Sequence, residues 1–238
     1  MMQKYTIIAN DMRKKILEGV YKANDQLPFE KDLCTHYDTS KMTVKKALDI
    51  LVSEGLIIKR RGAGTFVKDL SVEDMKSLLI SSQMIGTTAY YPDKKVTSQV
   101  LEFSIQPASQ SIAEKLNISQ DTFIYNIYRV RQIDGVPKVI ERTYMPVDVI
   151  PGLRLEHVEE SIYAYIIGDL GLKIHNAHRK ISVRKATSEE ENYLNIPSGE
   201  PVAITEQIGY LSTGVAFEYS ITVHTQDSFN LEVVLTHN

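Results

Sequence analysis

The sequence predicts an α+β protein in two parts: three short helices closed by a hairpin, then a duplicated α+β domain with a mostly antiparallel sheet. Three observations carry this expectation. Residues 1–68 place apolar side chains at helical spacing and end in two short runs around a glycine-rich tip. The remainder repeats the pattern AxxxxxxxLNI at 108–118 and 186–196, an offset of 78 residues. Charge divides along the same line, with a net +5 over residues 1–68 and a net −8 over 69–238.

Ile7, Ile8, Met12, Ile16 and Leu17 mark the first helix, and Gly19 stops it. A second helix follows Pro28, over about 30–37. The third opens at Thr39 or Ser40 as N-cap, carries Val44, Ala47, Leu48, Leu51 and Val52 on one face, and ends at Gly55. Residues 56–59 and 65–67 read as strands flanking Arg60-Arg61-Gly62-Ala63-Gly64. Residues 69–92 are polar and weakly patterned, and are expected to form the linker and the start of the second domain, which then runs over 93–238. Each copy of the repeat is a short helix followed by a hairpin, turning at Asp134-Gly135 and at Ser212-Thr213-Gly214. Between the copies an amphipathic helix spans 161–170, stopped by Gly171.

Composition removes several classes of function. No apolar run approaches the ~18 residues of a membrane span, and the N-terminus lacks the apolar stretch of a secretion signal; a cytoplasmic, non-membrane protein is expected. The lone Cys34 makes neither an internal disulfide nor a Cys-rich zinc site, and the six histidines show no metal-ligand spacing. No nucleophile elbow or phosphate loop is present. No metal, cofactor or catalytic residue is therefore expected.

Three helices and a glycine-tipped hairpin describe a winged helix-turn-helix. With Val44, Ala47, Leu48 and Leu51 in the core, Lys41, Met42, Lys45, Lys46 and Asp49 fall on the opposite face of the third helix. Three lysines there suit a phosphate-lined groove, with Ser40 and Thr43 in reach of phosphates or base edges. Residues 27–33 (LPFEKDL), 39–48 (TSKMTVKKAL), 54–57 (EGLI) and 61–67 (RGAGTFV) resemble, in order and spacing, the GntR-family DNA-binding domain. The resemblance implies DNA contact by Lys31, Ser40, Lys41, Thr43, Lys45, Arg61 and Gly62. A single winged module buries little surface, so a homodimer on a double-stranded operator of inverted symmetry is expected. Phe29 stands where the family usually has serine, and Lys41 and Lys45 stand for arginines. Lysine lacks the planar fork that reads guanine, so operator preference is expected to differ.

In the second domain, alternation along Tyr128-Arg129-Val130-Arg131 puts both arginines on one sheet face, where they meet either solvent or an anion. Glu141 on the next strand fits a salt bridge or a polar ligand equally well. This domain resembles the UTRA effector domain of the HutC subfamily, related in fold to chorismate lyase. Its matching pieces are residues 128–131, Gly135-Val136-Pro137 with Glu141, Ser161-Ile162-Tyr163, Ala177 and residues 214–219. The resemblance implies Arg129, Arg131 and Ser161 as holders of a small anion, a sugar phosphate, and Glu141, Tyr163 and Glu218 as contacts to the rest of it. His224 stands where a tyrosine usually lines the site, and Asn176 where an arginine often precedes Ala177. Residues 85–91 lack the usual serine-phenylalanine start, though their Gly86, Thr87 and Thr88 have groups that could donate to a phosphate. The expected function is a DNA-binding regulator, a repressor released by such an anion. An organic acid is the alternative effector, and a lyase-like enzyme acting on a small anion the remote one.

Overall fold

The computed structural model describes residues 3–81 and 85–235, in two compact units. The first comprises the described residues up to Ser81 together with Leu231–Leu235; the second runs from Ile85 to Asn230.

In the first unit, α1 (Lys4–Leu17), α2 (Glu30–His36) and α3 (Lys41–Ser53) are followed by a hairpin of β1 (Ile57–Arg60) and β2 (Gly64–Val67). The core draws one stripe from each: Ile8, Met12 and Ile16 of α1, Leu33 of α2, Val44, Leu48 and Leu51 of α3, and Ile57 and Val67 of the hairpin. Ile7, read with the apolar stripe of α1, lies outside this core at 51% exposure. Ser40 is the N-cap of α3, its hydroxyl accepting from the Thr43 amide at 3.3 Å. At the hairpin tip Gly64 has φ +122°, and a Cβ there would come within 2.6 Å of Gln26 Nε2. Gln26 itself donates to the Ala63 carbonyl at 2.9 Å, tying the wing to the loop before α2.

The stretch 69–92, expected as linker, contains α4 (Val72–Ser81) and the short α5 (Thr87–Tyr90). Met75 and Leu79, one turn apart, join the core of the first unit, so α4 is a packed element rather than a connector. Leu231–Leu235 also belong to this unit: a Cβ on Gly55, whose φ is +77°, would lie 2.5 Å from Val234 Cγ2 and 3.5 Å from Leu78 Cδ1.

The second unit is built from two copies of strand–helix–strand–strand. The first is β3 (Val96–Pro107), α6 (Gln110–Leu116), β4 (Phe123–Ile133) and β5 (Val136–Pro146). The second is β6 (Ile174–Lys185), α9 (Ser188–Leu194), β7 (Pro201–Leu211) and β8 (Ala216–Thr225). They join through β5 and β8 into one antiparallel sheet of order β3-β4-β5-β8-β7-β6. The repeated LNI has a structural cause. Leu116 and Leu194 are buried, Asn117 and Asn195 end their helices with φ of 54° and 53°, and Ile118 and Ile196 pack beneath. Asparagine tolerates this left-handed geometry, which lets the chain turn from helix to strand. Between the copies lie α7 (Leu155–Glu159), α8 (Ile162–Ala164) and a π-helical turn, Tyr165–Asp169. The single helix expected over 161–170 is thus an α turn continued as a wider one.

Candidate DNA interface and effector site

On the first unit, Lys31, Ser40, Lys41, Lys45, Arg61 and Gly62 are exposed, and Thr43 is half-exposed with its hydroxyl 2.9 Å from that of Ser40. The cations of this face divide by their partners. Lys59 pairs with Asp49 at 2.6 Å, Lys41 approaches Glu30 at 3.7 Å, Lys46 sits 3.9 Å above the Tyr5 ring and Arg60 lies 4.6 Å from the Phe66 ring. Among the described residues, Lys31, Lys45 and Arg61 make no ion pair. They present positive charge from the start of α2, the outer face of α3 and the wing tip, the three places a winged helix uses to straddle a duplex.

In the second unit the register defines one continuous face, since residues directly opposite across strands point the same way. One row reads Ser98, Arg131, Val139, His224 and Ala203; the next reads Val100, Arg129, Glu141, Thr222 and Thr205. A third holds Ile127, Thr143, Ser220, Gln207 and Arg179. Arg129, Arg131, Glu141, Thr143, Thr205, Gln207, Glu218 and Ser220 are all buried, an unusual polar load for a sheet interior.

Arg129 and Glu141 form the ion pair that the strand pattern left open: Arg129 Nε and Nη2 reach Glu141 Oε2 at 2.8 and 2.6 Å. Arg129 Nη1 donates to the Val158 carbonyl at the end of α7. Arg131, only 1% exposed, has neutral acceptors alone: Ser98 Oγ and the Glu160 carbonyl, both at 2.7 Å, and Thr88 Oγ1 at 2.5 Å. Its buried Nε has no hydrogen-bond partner among the described residues. Thr87 donates to Glu141 Oε1 at 2.5 Å, so α5 closes over both charges. Burial alone pushes the Glu141 carboxyl up, but the Arg129 and Arg131 guanidinium groups outweigh it and hold it at about 2. Burial drags Arg131 down to about 10, with Glu141 opposing.

The structure brings together Arg129, Arg131 and Glu141 as the sequence indicates, and adds Ser98, Thr87 and Thr88. Ser161 is turned to another use, its hydroxyl accepting from the Ala164 amide as N-cap of α8; the adjacent Glu160 carbonyl is what touches Arg131. Ser98 was findable only through its register with Arg131, which sequence alone does not supply. Glu218 and Tyr163 lie together with Ser220 and Gln207: Glu218 Oε1 accepts from Ser220 at 2.6 Å and from Gln207 Nε2 at 3.1 Å, and Gln207 Nε2 also lies 3.4 Å from the Tyr163 hydroxyl. Burial raises the Glu218 carboxyl despite these donors. His224 is held down at about 4, chiefly by burial. The arrangement offers a cationic corner beside a set of uncharged or acidic hydrogen-bonding groups. Among the described residues no cluster of His, Cys, Asp and Glu could hold a metal ion, and no helix is long and apolar enough to cross a membrane.

A winged helix with a basic reading face, joined to a sheet domain with a buried polar face, defines a transcriptional regulator controlled by an effector domain rather than an enzyme. Comparison with known proteins gives the family. Residues 4–67 match the bacterial regulatory proteins of the gntR family and residues 93–230 match the UTRA domain, and the chain belongs to the GntR regulators that carry this domain. It is 39% identical to the HTH-type transcriptional regulator GmuR of Bacillus subtilis, over 96% of each chain. It is 30% identical to the mannosyl-D-glycerate transport/metabolism system repressor MngR of Escherichia coli, over 97% of this chain and 95% of that one. The crystal structure of the possible transcriptional regulator YydK from B. subtilis superposes with a TM-score of 0.79 at 30% identity, covering 97% of this chain and 99% of that one.

Proposed function

We propose that this protein is a repressor that binds an inverted-repeat operator as a homodimer and leaves it when a phosphorylated sugar occupies the polar face of the second unit. The observation that carries the anion is the charge balance at Arg129, Arg131 and Glu141. Of two buried guanidinium groups only Arg129 pairs with the carboxylate, and Arg131 has, among the described residues, neither a counter-ion in contact nor a partner for its Nε. A buried cation with an orphan donor costs several kcal/mol unless an anion neutralises it, and a phosphate supplies both the charge and the acceptors. Glu141, Glu218 and His224 lie along the same face, with Tyr163 of α8 beside Gln207, to meet the hydroxyl-bearing remainder. That MngR is named a repressor of a system handling mannosyl-D-glycerate supports control of carbohydrate use by relatives of this kind.

Release follows if ligand binds tighter to the arrangement that does not grip DNA, because equal affinity shifts nothing. The ligand's purchase on α5 is the route. Thr87 donates to Glu141 and Thr88 accepts from Arg131, so an anion that draws the Arg131 donor away from Thr88 reorganises the segment where the chain enters the second unit. A tenfold loss of operator affinity needs only about 1.4 kcal/mol of coupling. The test is a thermal-shift screen of phosphorylated mono- and disaccharides against organic acids, repeated on Arg131→Ala. A sugar phosphate is expected to raise the melting temperature of the wild type and not of the variant; stabilisation confined to organic acids would remove the phosphate from this reading.

A further inference from the structure

The outward stripe of α3 divides by what holds each side chain. Met42, Lys45, Lys46 and Asp49 follow one another at helical spacing, away from the buried Val44, Ala47, Leu48 and Leu51. The far half of the stripe is occupied within the protein: Lys46 lies over the Tyr5 ring at 3.9 Å and Asp49 pairs with Lys59 at 2.6 Å. The near half, Met42 and Lys45, lies in the first turns of the helix, the part that a helix-turn-helix presents to base edges. Met42 is 72% exposed, the most exposed large apolar side chain of α1, α2, α3 and the hairpin. A methionine standing in water there lacks the burial that contact with DNA supplies. We propose that Met42 is a specificity-determining residue of the DNA interface, reading the C5-methyl group of a thymine in each half-site of the operator. This rests on the reading of α3 as the helix that enters the major groove.

The make-up of the helix narrows what it reads. α3 contains no arginine, asparagine or glutamine, the side chains that recognise guanine or adenine through paired hydrogen bonds. Ser40 and Thr43, the hydroxyls at the reading end, lie 2.9 Å from each other, and that of Ser40 also accepts from the Thr43 amide at 3.3 Å. Hydrogen-bonded readout from this helix therefore falls mainly to lysines, which act as point charges without a planar fork. Met42 has no side-chain donor at all. The apolar group that the major groove displays is the thymine methyl, and a thioether on three rotatable bonds adapts to it readily. Over a G·C pair the same side chain covers polar edge atoms without pairing them, a desolvation cost that adds to the missing methyl contact.

The experiment selects duplexes from a random-sequence DNA pool with the full chain, and repeats the selection with Met42→Ala and Lys45→Ala. The wild type is expected to enrich a half-site containing a fixed thymine whose preference Met42→Ala loses while keeping the other positions. Each fixed thymine is then replaced by uracil, which removes the methyl group and leaves base pairing intact. At the Met42 position this is expected to weaken wild-type binding about fourfold in one half-site and about fifteenfold in both, the effect of one and two buried methyl groups. Met42→Ala is expected to bind the thymine and uracil duplexes equally there, and to keep the wild-type melting temperature because the side chain it shortens is exposed. A consensus without a fixed thymine, a consensus unchanged in Met42→Ala, or a methyl sensitivity that persists undiminished in that variant overturns the assignment of Met42. Weaker binding by Lys45→Ala then leaves α3 standing as the DNA helix. Failure of the wild type to enrich any duplex overturns both.

Discussion

At the scale of single residues, the DNA face separates groups that hold structure from groups that hold charge outward. Ser40 caps α3, and its loss in Ser40→Ala is expected to cost about 1 kcal/mol of stability in a urea titration, besides any effect on operator choice. Lys45→Ala removes an exposed lysine that makes no ion pair among the described residues. Its expected signature is unchanged stability, weaker operator binding and a log–log salt slope smaller by about one unit. His224 gives a pH prediction. Its folded value of about 4 lies below the ordinary 6.5 because burial disfavours the cation, so its contribution is complete above pH 6.5 and is lost as pH falls toward 4. The melting temperature of the wild type is expected to decline across that window, and His224→Gln to flatten the decline. Glu141 acts lower, since its stabilisation fades only as pH drops from about 4.5 toward 2. The arginine pair was legible because alternation on a strand needs no partner to be read. Ser98, Thr88 and Gln207 were not, since a serine, threonine or glutamine becomes informative only when register or packing sets it against a charge.

Elements differ in how openly the sequence announces them. The N-cap and the apolar stripe of α3, and the LNI ends of α6 and α9, are local signals, and the structure places them where local chemistry puts them. Replacing Asn195 with Gly is expected to change stability by a few tenths of a kcal/mol. Asn195→Val forces a β-branched residue into left-handed backbone and is expected to cost about 1–2 kcal/mol, read from urea unfolding. The segment carrying α4 hid itself. Asp, Glu, Ser and Lys make up half of its sequence, and among its described side chains the two that join the core, Met75 and Leu79, are a single i,i+4 pair. One such pair is too little periodicity to distinguish a helix from a polar connector. Strand order was equally hidden, because joining the two copies through β5 and β8 is a long-range pairing that no local pattern encodes.

For the molecule as a whole, the charge division between a basic first unit and an acidic second one keeps DNA to one side of the chain's chemistry. A single winged helix reads too few base pairs for specific control, so two copies on a symmetric site are expected, and light scattering at micromolar concentration is expected to report a dimer. One further feature bears on how such regulators are taken apart and recombined. The first unit is not finished when the chain leaves it after α4, since Val234 returns to lie beside Gly55. In connectivity the effector domain is a passenger spliced into a host, with two seams rather than one. A chimera that replaces everything beyond residue 83 with a foreign sensor strips the host of its own closing segment. One that exchanges residues 84–230 and restores 231–238 is expected to keep the melting temperature and operator affinity that the simpler graft loses.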